Sequence, residues 1–484
     1  DNFYHFLEIE GVNMNLRQAM SRFQNTIYAR AVRHGLTLAI PFLIMGSFAL
    51  LLTNFPLGVY QDFIRTWMNG AASAILETLY QISLGSLALV LTVTISISYG
   101  HLTETDQLFL YPIVAVCSYL AFCGGIENQS DYIFNAEWVF TAMVITLLSC
   151  VLFHKILKLG HRFERLHTTG ADYLFNISIQ CLIPVILVSL FFAVTGYVLR
   201  VAWDSSNITN FGSYLFLKLF DKISGNLFGI LLYVVMTHLL WFMGIHGTNT
   251  LEAVSRHLFE QNVEINQSLV LAGHIPTEIF SKTFLDTFVF IGGCGTALSF
   301  VLALYIASKQ SHNRKMSFVA LPSALFNISE IAVFGFPIIF NLTMLIPFIL
   351  TPVILTLISA SAIKAGLVPA VTQSVEWTIP VLLSGYQATG SVSGSLLQLF
   401  NLLVGVFIYM PFVRRSEKQE TGKFKQAVRQ MEQDMAAGER DGVIPAYLSH
   451  KYPYYYYAKT LSMDLTNAMK RGQLQLFYQP QISS

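Results

Sequence analysis

Glu330 is the only Asp, Glu, Lys or Arg between Lys315 and Lys364. An isolated carboxyl in so apolar a stretch is expensive to hold in a bilayer and by default marks a substrate or ion path. It sits in FNISE (residues 326–330), and FGFP (334–337) follows, so the run is too broken by glycine and proline for a plain membrane span. The alternative is a protonated, hydrogen-bonded carboxyl inside a helix bundle. His246 is the second isolated group: WFMGIHG (241–247) closes an apolar segment with no charged residue between Lys222 and Glu252. An imidazole titrates near neutrality and can act as acid, base or hydrogen-bond partner. Gly244 and Gly247 beside it permit a turn or a close backbone approach. A lone histidine is more often a satisfied structural one, and His238 in the same segment reads that way. Trp377, in EWTIP (376–380), is the third, because an aromatic face can stack on a sugar ring. Taken alone it reads as an interface anchor.

The elements that position these groups follow from composition. Of 484 residues, 54% are hydrophobic and 12% charged, against about 25% charged in soluble domains. An ordinary soluble enzyme is excluded. The 29 basic and 28 acidic side chains leave +1, so nothing argues for a nucleic-acid partner. Cys117, Cys123, Cys150, Cys181 and Cys294 lie in apolar stretches without metal-site or disulfide-framework spacing. No metal and no resident cofactor is expected. Apolar stretches at 36–52, 79–98, 108–122, 133–153, 172–199, 227–244, 287–307, 342–363 and 392–412 qualify as spans. The segments 246–284, 317–340 and 368–385 are too broken to be plain spans. Such backbone is tolerated at membrane depth only where protein buries it or it lines a cavity, and in transporters it often builds the substrate site. The expected fold class is therefore an all-α polytopic membrane protein with about ten crossings plus re-entrant hairpins.

Charge sets the orientation. Residues 15–33 carry Arg17, Arg22, Arg30 and Arg33, with Leu16, Met20, Phe23 and Ile27 on one face, which predicts an amphipathic helix lying on the membrane. Lys155, Lys158, Arg162 and Arg165 follow one span, Lys309, Arg314 and Lys315 another, and Arg414, Arg415, Lys418, Lys423 and Lys425 the last. Lys and Arg excess marks the cytoplasmic side, so both ends are expected inside, in a bacterial inner membrane. Asp1, Glu8 and Glu10 stand where a signal peptide carries positive charge, so no cleaved leader is expected, and the chain is expected to begin a little way into its gene product.

Past Phe412 the composition turns polar, and Phe424, Val428, Met431 and Met435 recur at helical spacing. The run 452–457, rich in tyrosine, reads as an irregular linker or a membrane-surface aromatic belt. In 461–482, Leu461, Leu465, Ala468 and Met469 form a helical face, Gly472 is a stop and 474–478 alternates as a strand, predicting a short α/β stub. With Tyr478, Gln479, Pro480 and Gln481 after it, this piece resembles the opening of the EAL-type cyclic di-GMP phosphodiesterase domains. The metal carboxylates and the Glu-Ala-Leu signature of that family lie beyond residue 484, so the stub by itself hydrolyses nothing.

The membrane part carries a second resemblance. WFMGIHG, FIGGCG (290–295), FNISE with FGFPI and Asn341, IPFIL (346–350), WTIP (377–380) and YMPF (409–412) follow AVRHG (31–35) with Pro41 and Gly46. Over about residues 15–415 this set resembles the membrane IIC component of the sugar phosphotransferase system, in its lactose, cellobiose and diacetylchitobiose branch. The resemblance implies a homodimer joined through an N-terminal half (36–225) and a transport half (226–414) with two re-entrant hairpins and an elevator-like motion. It implies that His246 and Glu330 contact the sugar near the hydroxyl that is phosphorylated, with Asn249, Asn327 and Trp377 as further contacts. The family pattern Asn-Ile-Asn-Glu-Pro is altered: Ser329 replaces its second Asn and Ile331 its Pro. The phosphate-donating cysteine of a IIB component is missing from this chain, so the donor is expected to be a separate IIB protein.

Three functions are consistent with these residues. The first is a permease that binds a β-linked disaccharide for uptake and phosphorylation by a separate IIB. The second is a degenerate IIC that senses sugar and regulates a cyclic di-GMP phosphodiesterase attached at 461–484, after a linker helix at 415–460. The third, an ion-coupled transporter using Glu330 as proton carrier, is disfavoured by the family motifs.

Overall fold

The computed structural model describes residues 22–473 apart from 25, 56, 104, 106, 126–130, 160–171, 203–210, 221, 337, 443–444 and 450–451. Two compact units divide the chain, Asp1–Arg414 and Arg415–Ser484.

In the first unit the apolar stretches become helices. Thr26 opens the helix Ile27–Thr53, its side chain accepting from the Ala29 N–H, which satisfies one of the orphan donors of a helix start. That helix packs on Leu87–Thr103, and so does Val139–Lys158. Leu110–Cys123 packs on Leu182–Ala202, and Leu227–Phe242 on Leu342–Lys364. Six helical stretches among the described residues are long and apolar enough to cross a membrane, and three shorter apolar helices (Leu110–Cys123, Leu227–Phe242, Ala297–Ala307) accompany them. The chain is a multi-pass membrane protein.

Several expectations need correction. Instead of about ten crossings, the described residues hold these six long and three short apolar helices. The span expected at 287–307 is not one helix: Leu285–Val289 is a single π-helical turn, 290–296 is irregular, and the helix starts only at Ala297. The glycines of FIGGCG are the reason, since Gly292, Gly293 and Gly295 all take positive φ, a region closed to most side chains. Arg30 and Arg33 do not belong to a separate surface helix but to Ile27–Thr53, the first span; residues 15–21 lie outside the described residues.

Non-helical backbone inside the apolar unit needs partners for its N–H and C=O groups. Side-chain amides supply them. Gln398 donates from Nε2 to the Thr287 carbonyl (2.7 Å) and accepts at Oε1 from the N–H groups of Leu382 and Gly385, both at 2.8 Å. One turn on, Asn401 Nδ2 donates to the Phe288 carbonyl at 2.9 Å. Asn266 Nδ2 donates to the carbonyls of Glu278 (2.7 Å) and Val371 (2.9 Å), and its Oδ1 accepts from the Glu278 N–H. All three amides are fully buried. His238 belongs to the same framework: Nδ1 lies 2.6 Å from the Val234 carbonyl and Nε2 accepts from the Gly295 N–H at 2.8 Å. It is structural, as its sequence setting suggested.

The second unit holds the polar end of the helix Val392–Asp441 and the helix Tyr455–Lys470. The Tyr452 hydroxyl donates to Asp434 at 2.6 Å, and the Tyr447 hydroxyl to the Met431 carbonyl at 2.9 Å. The Phe424 and Tyr457 rings meet edge to face at 6.0 Å. Tyr452 and Tyr457 are therefore packing residues within this unit. The α/β stub is corrected: no β-strand occurs among the described residues, and residues 461–470 continue one helix that starts at Tyr455 and ends where Gly472 takes positive φ. Apolar residues three and four apart (Leu461, Leu465, Ala468, Met469), with no Gly or Pro between them and Gly472, favour this. The strand expected at 474–478 and the 478–481 motif lie outside the described residues.

Candidate functional site

The broken segments converge on one cavity of about 190 Å³ in the first unit. His246, Asn249, Asn327, Glu330 and Trp377, the five residues singled out from sequence, all line it.

His246 is placed by its own backbone. It is the N-cap of the short turn Gly247–Thr250, and its Nδ1 accepts from the Asn249 N–H at 3.4 Å. The Thr248 hydroxyl lies 3.2 Å from the same nitrogen. With Nδ1 engaged as acceptor, the neutral ring carries its proton on Nε2, and Nε2 faces Glu330 Oε1 at 3.6 Å. Gly247 lets the turn press against the preceding helix, because a Cβ there would stand 2.1 Å from the Thr237 carbonyl oxygen. The Trp241 ring lies 4.3 Å from the imidazole, centre to centre, and packs on Phe334 from the Glu330 helix.

Glu330 opens the helix Glu330–Gly335, where the partial positive charge of a helix start favours a carboxylate. This helix packs on Ile27–Thr53. Glu330 Oε2 is buried without a hydrogen-bond partner, and so is Trp241 Nε1. A buried carboxylate oxygen left unpaired is destabilising, so the residues around the cavity include an acceptor and a donor that the protein itself does not pair.

Asn327 lines the cavity while its side chain bonds to backbone. Its Oδ1 accepts from the Gly292 N–H at 2.7 Å, and its Nδ2 donates to the carbonyls of Trp377 (2.6 Å) and Ile379 (3.1 Å). It ties the irregular 290–296 segment to the WTIP loop through backbone, and its amide hydrogens are committed. Gly293 lies close beneath it: a Cβ there would stand 2.6 Å from the Asn327 carbonyl oxygen and from Ser329 Cβ. Trp377 is 41% exposed.

Sequence reasoning missed the charges. Glu252, Lys282 and Asp286 line the same cavity, with Tyr80, Tyr233 and Thr248. Lys282 Nζ and Arg256 Nε both stand 3.2 Å from Glu252 Oε1. The available signal was that these charges fall at the edges of a segment too broken to be a span. Among the described residues, no group of three or more His, Cys, Asp or Glu could hold a metal ion.

The chain is 28% identical over 410 residues to the lichenan permease IIC component of Bacillus subtilis (strain 168), covering 81% of this chain and 90% of that one. It is 26% identical to the oligo-beta-mannoside-specific EIIC component of the same organism, over 90% of this chain and 99% of the relative. Among solved structures it is similar to the transporter ChbC, the IIC component of the N,N'-diacetylchitobiose-specific phosphotransferase system, with 24% identity, a TM-score of 0.45 and coverage of 87% and 99%. Residues 33–352, about two thirds of the chain, match the family described as "Phosphotransferase system, EIIC". The chain belongs to the phosphotransferase system EIIC family.

Proposed function

We propose that the protein is a sugar permease whose cavity binds a β-linked disaccharide and presents a hydroxyl to a phosphorylated IIB partner. The observation that carries this is the unpaired Glu330 Oε2 beside the His246 pair, in a cavity lined by Trp241 and Trp377. The relatives named for lichenan and oligo-beta-mannoside point to β-linked glucan or mannan fragments. In the reaction, the sugar hydroxyl oxygen attacks phosphorus, the bond from phosphorus to the IIB cysteine sulfur breaks, and sulfur leaves as thiolate with the electron pair. The hydroxyl proton passes to Glu330 or His246. Both residues hold and polarise the hydroxyl, which is positioning and acid–base work. Asn249 and Trp377 add polar and stacking contacts, and Asn327 shapes the site through backbone. Membrane vesicles supplied with phosphorylated IIB and cellobiose are expected to form the sugar phosphate. Its absence across a panel of β-disaccharides, with the IIB shown to be phosphorylated, counts against the reading.

The arrangement of the unit extends the proposal. We place a dimer contact in residues 36–225, because the stretch Tyr173–Val201 has only 28% of its most apolar window buried within one chain. Residues 226–414 are the transport half, and the basic clusters put both ends in the cytoplasm of a bacterium, at the inner membrane. A cysteine placed at residue 440 is expected to resist an impermeant thiol label in intact cells and to react after permeabilisation. Equal labelling in intact cells contradicts this topology.

A further inference from the structure

His238 and His246 belong to one stretch of chain, and their surroundings call for opposite tautomers. At His238, Nδ1 faces the Val234 carbonyl at 2.6 Å and so carries the proton, while Nε2 accepts from the Gly295 N–H at 2.8 Å. At His246 the order is reversed. The Asn249 N–H points at Nδ1 from 3.4 Å, and a backbone amide only donates. This nitrogen therefore offers its lone pair, and Nε2 holds the hydrogen. The amide contact is long beside the usual range of about 2.7–3.2 Å. The closer partner of Nδ1 is the Thr248 hydroxyl, at 3.2 Å, which turns to donate where a lone pair is offered. On the far side of the ring, Nε2 stands 3.6 Å from Glu330 Oε1, where a hydrogen is attracted and a lone pair repelled. Other groups fix where the ring sits. Trp241 lies 4.3 Å from it, centre to centre, and Gly247 lets the turn close on the Thr237 carbonyl. What is left to Thr248 is which nitrogen carries the proton.

We propose that Thr248 is a positioning residue for the phosphoryl acceptor: by donating to Nδ1 it keeps His246 in the Nε2–H form, so that the ring meets the sugar hydroxyl as a hydrogen-bond donor. This rests on the sugar reading above. With Nδ1 engaged and Nε2 already protonated, the neutral imidazole has no free lone pair for the hydroxyl proton. As the sugar oxygen bonds to phosphorus and the IIB sulfur leaves as thiolate, that proton passes to the Glu330 carboxylate, and the His246 N–H steadies the oxygen. In the other tautomer the ring would turn a lone pair toward both Glu330 and the sugar oxygen, and neither could be held. Thr248 lines the cavity, but its part is played through His246.

Thr248→Val keeps the branched shape and removes the hydroxyl, whereas Thr248→Ser keeps the hydroxyl. Solid-state ¹⁵N NMR of the histidine-labelled full chain in lipid bilayers separates the two tautomers. The His246 signals, among those of 12 histidines, are assigned by their loss in His246→Ala. The expected result is an Nε2–H ring in the wild type and in Thr248→Ser, with the Nδ1–H form appearing in Thr248→Val. Cellobiose, β-mannobiose and diacetylchitobiose are then titrated. The tightest binder is expected to weaken about 3- to 10-fold in Thr248→Val, the worth of one neutral hydrogen bond, and to stay within about twofold of wild type in Thr248→Ser. Phosphoryl transfer at saturating sugar should fall in the valine variant too, and recover in the serine one. Should the valine variant fail to fold, Thr248→Ala carries the same comparison, and the wild-type spectrum decides by itself: a His246 protonated on Nδ1 overturns the proposal. A tautomer unmoved in the folded variants that lack the hydroxyl, or a serine variant as weak as the valine one, overturns it while leaving the sugar reading intact. A wild type that binds none of the three disaccharides brings down the sugar reading, and this proposal with it, whatever the tautomer.

Discussion

Glu330→Gln and His246→Ala are each expected to reduce disaccharide affinity about ten- to hundredfold, the equivalent of a buried hydrogen bond to a charged group at about 1.5–3 kcal/mol. Phosphoryl transfer in vesicles is expected to fall further, because both groups also position the reacting hydroxyl. The folded state should survive. Glu330 Oε2 has no protein partner to lose, so the Gln variant gives up charge without breaking a hydrogen bond made by that oxygen. His246→Ala removes the acceptor for the Asn249 N–H, at a helix cap, where a loss of about 0.5–2 kcal/mol is usual. Titration of the purified variants, with size-exclusion profiles as the folding control, checks both. Full affinity in either one removes that side chain from the site.

Asn327→Ala is the second large effect, and it is expected in stability. The substitution strips partners from the Gly292 N–H and from the Trp377 and Ile379 carbonyls. It also puts alanine at φ 61°, where asparagine is tolerated far better. Buried groups left unpaired lose roughly 1–3 kcal/mol each, so a destabilisation of about 3–5 kcal/mol is expected, read as a lowered thermal midpoint in detergent. Sugar binding should weaken as well, since Trp377 and the 290–296 segment both line the cavity and lose the side chain that joins them. An unchanged midpoint would show that these backbone groups find other partners.

How far the site could be read in advance depended on the kind of residue. Glu330 and His246 were legible because an ionisable group in an apolar run has few structural excuses, and the cavity does bring them to 3.6 Å. Glu252, Lys282 and Asp286 were not, because charges in a polar, broken stretch look like any loop until tertiary packing turns them inward. For Asn327 the position in FNISE is visible, whereas its bonds to backbone 35 to 52 residues away are not. Gln398 and Asn401 carried a usable signal, two amides three residues apart on one face of an apolar helix, where a buried amide must find partners. The long helices emerged from hydropathy near the expected places, as Leu227–Phe242 and Leu342–Lys364 show. The expected span at 287–307 failed because hydropathy is blind to the positive φ angles of three glycines. At the C-terminal stub the helical face from Leu461 and the Gly472 stop were legible, as the helix Tyr455–Lys470 shows, whereas no strand occurs among the described residues and 474–478 lie outside them.

The most direct measurement is an experimental structure of the protein with a bound β-disaccharide. The expected result is a primary hydroxyl within hydrogen-bond distance of both Glu330 Oε2 and His246 Nε2, with a sugar ring against Trp377. A disaccharide seated elsewhere, with Glu330 Oε2 still unpaired beside an empty cavity, contradicts the assignment of the site.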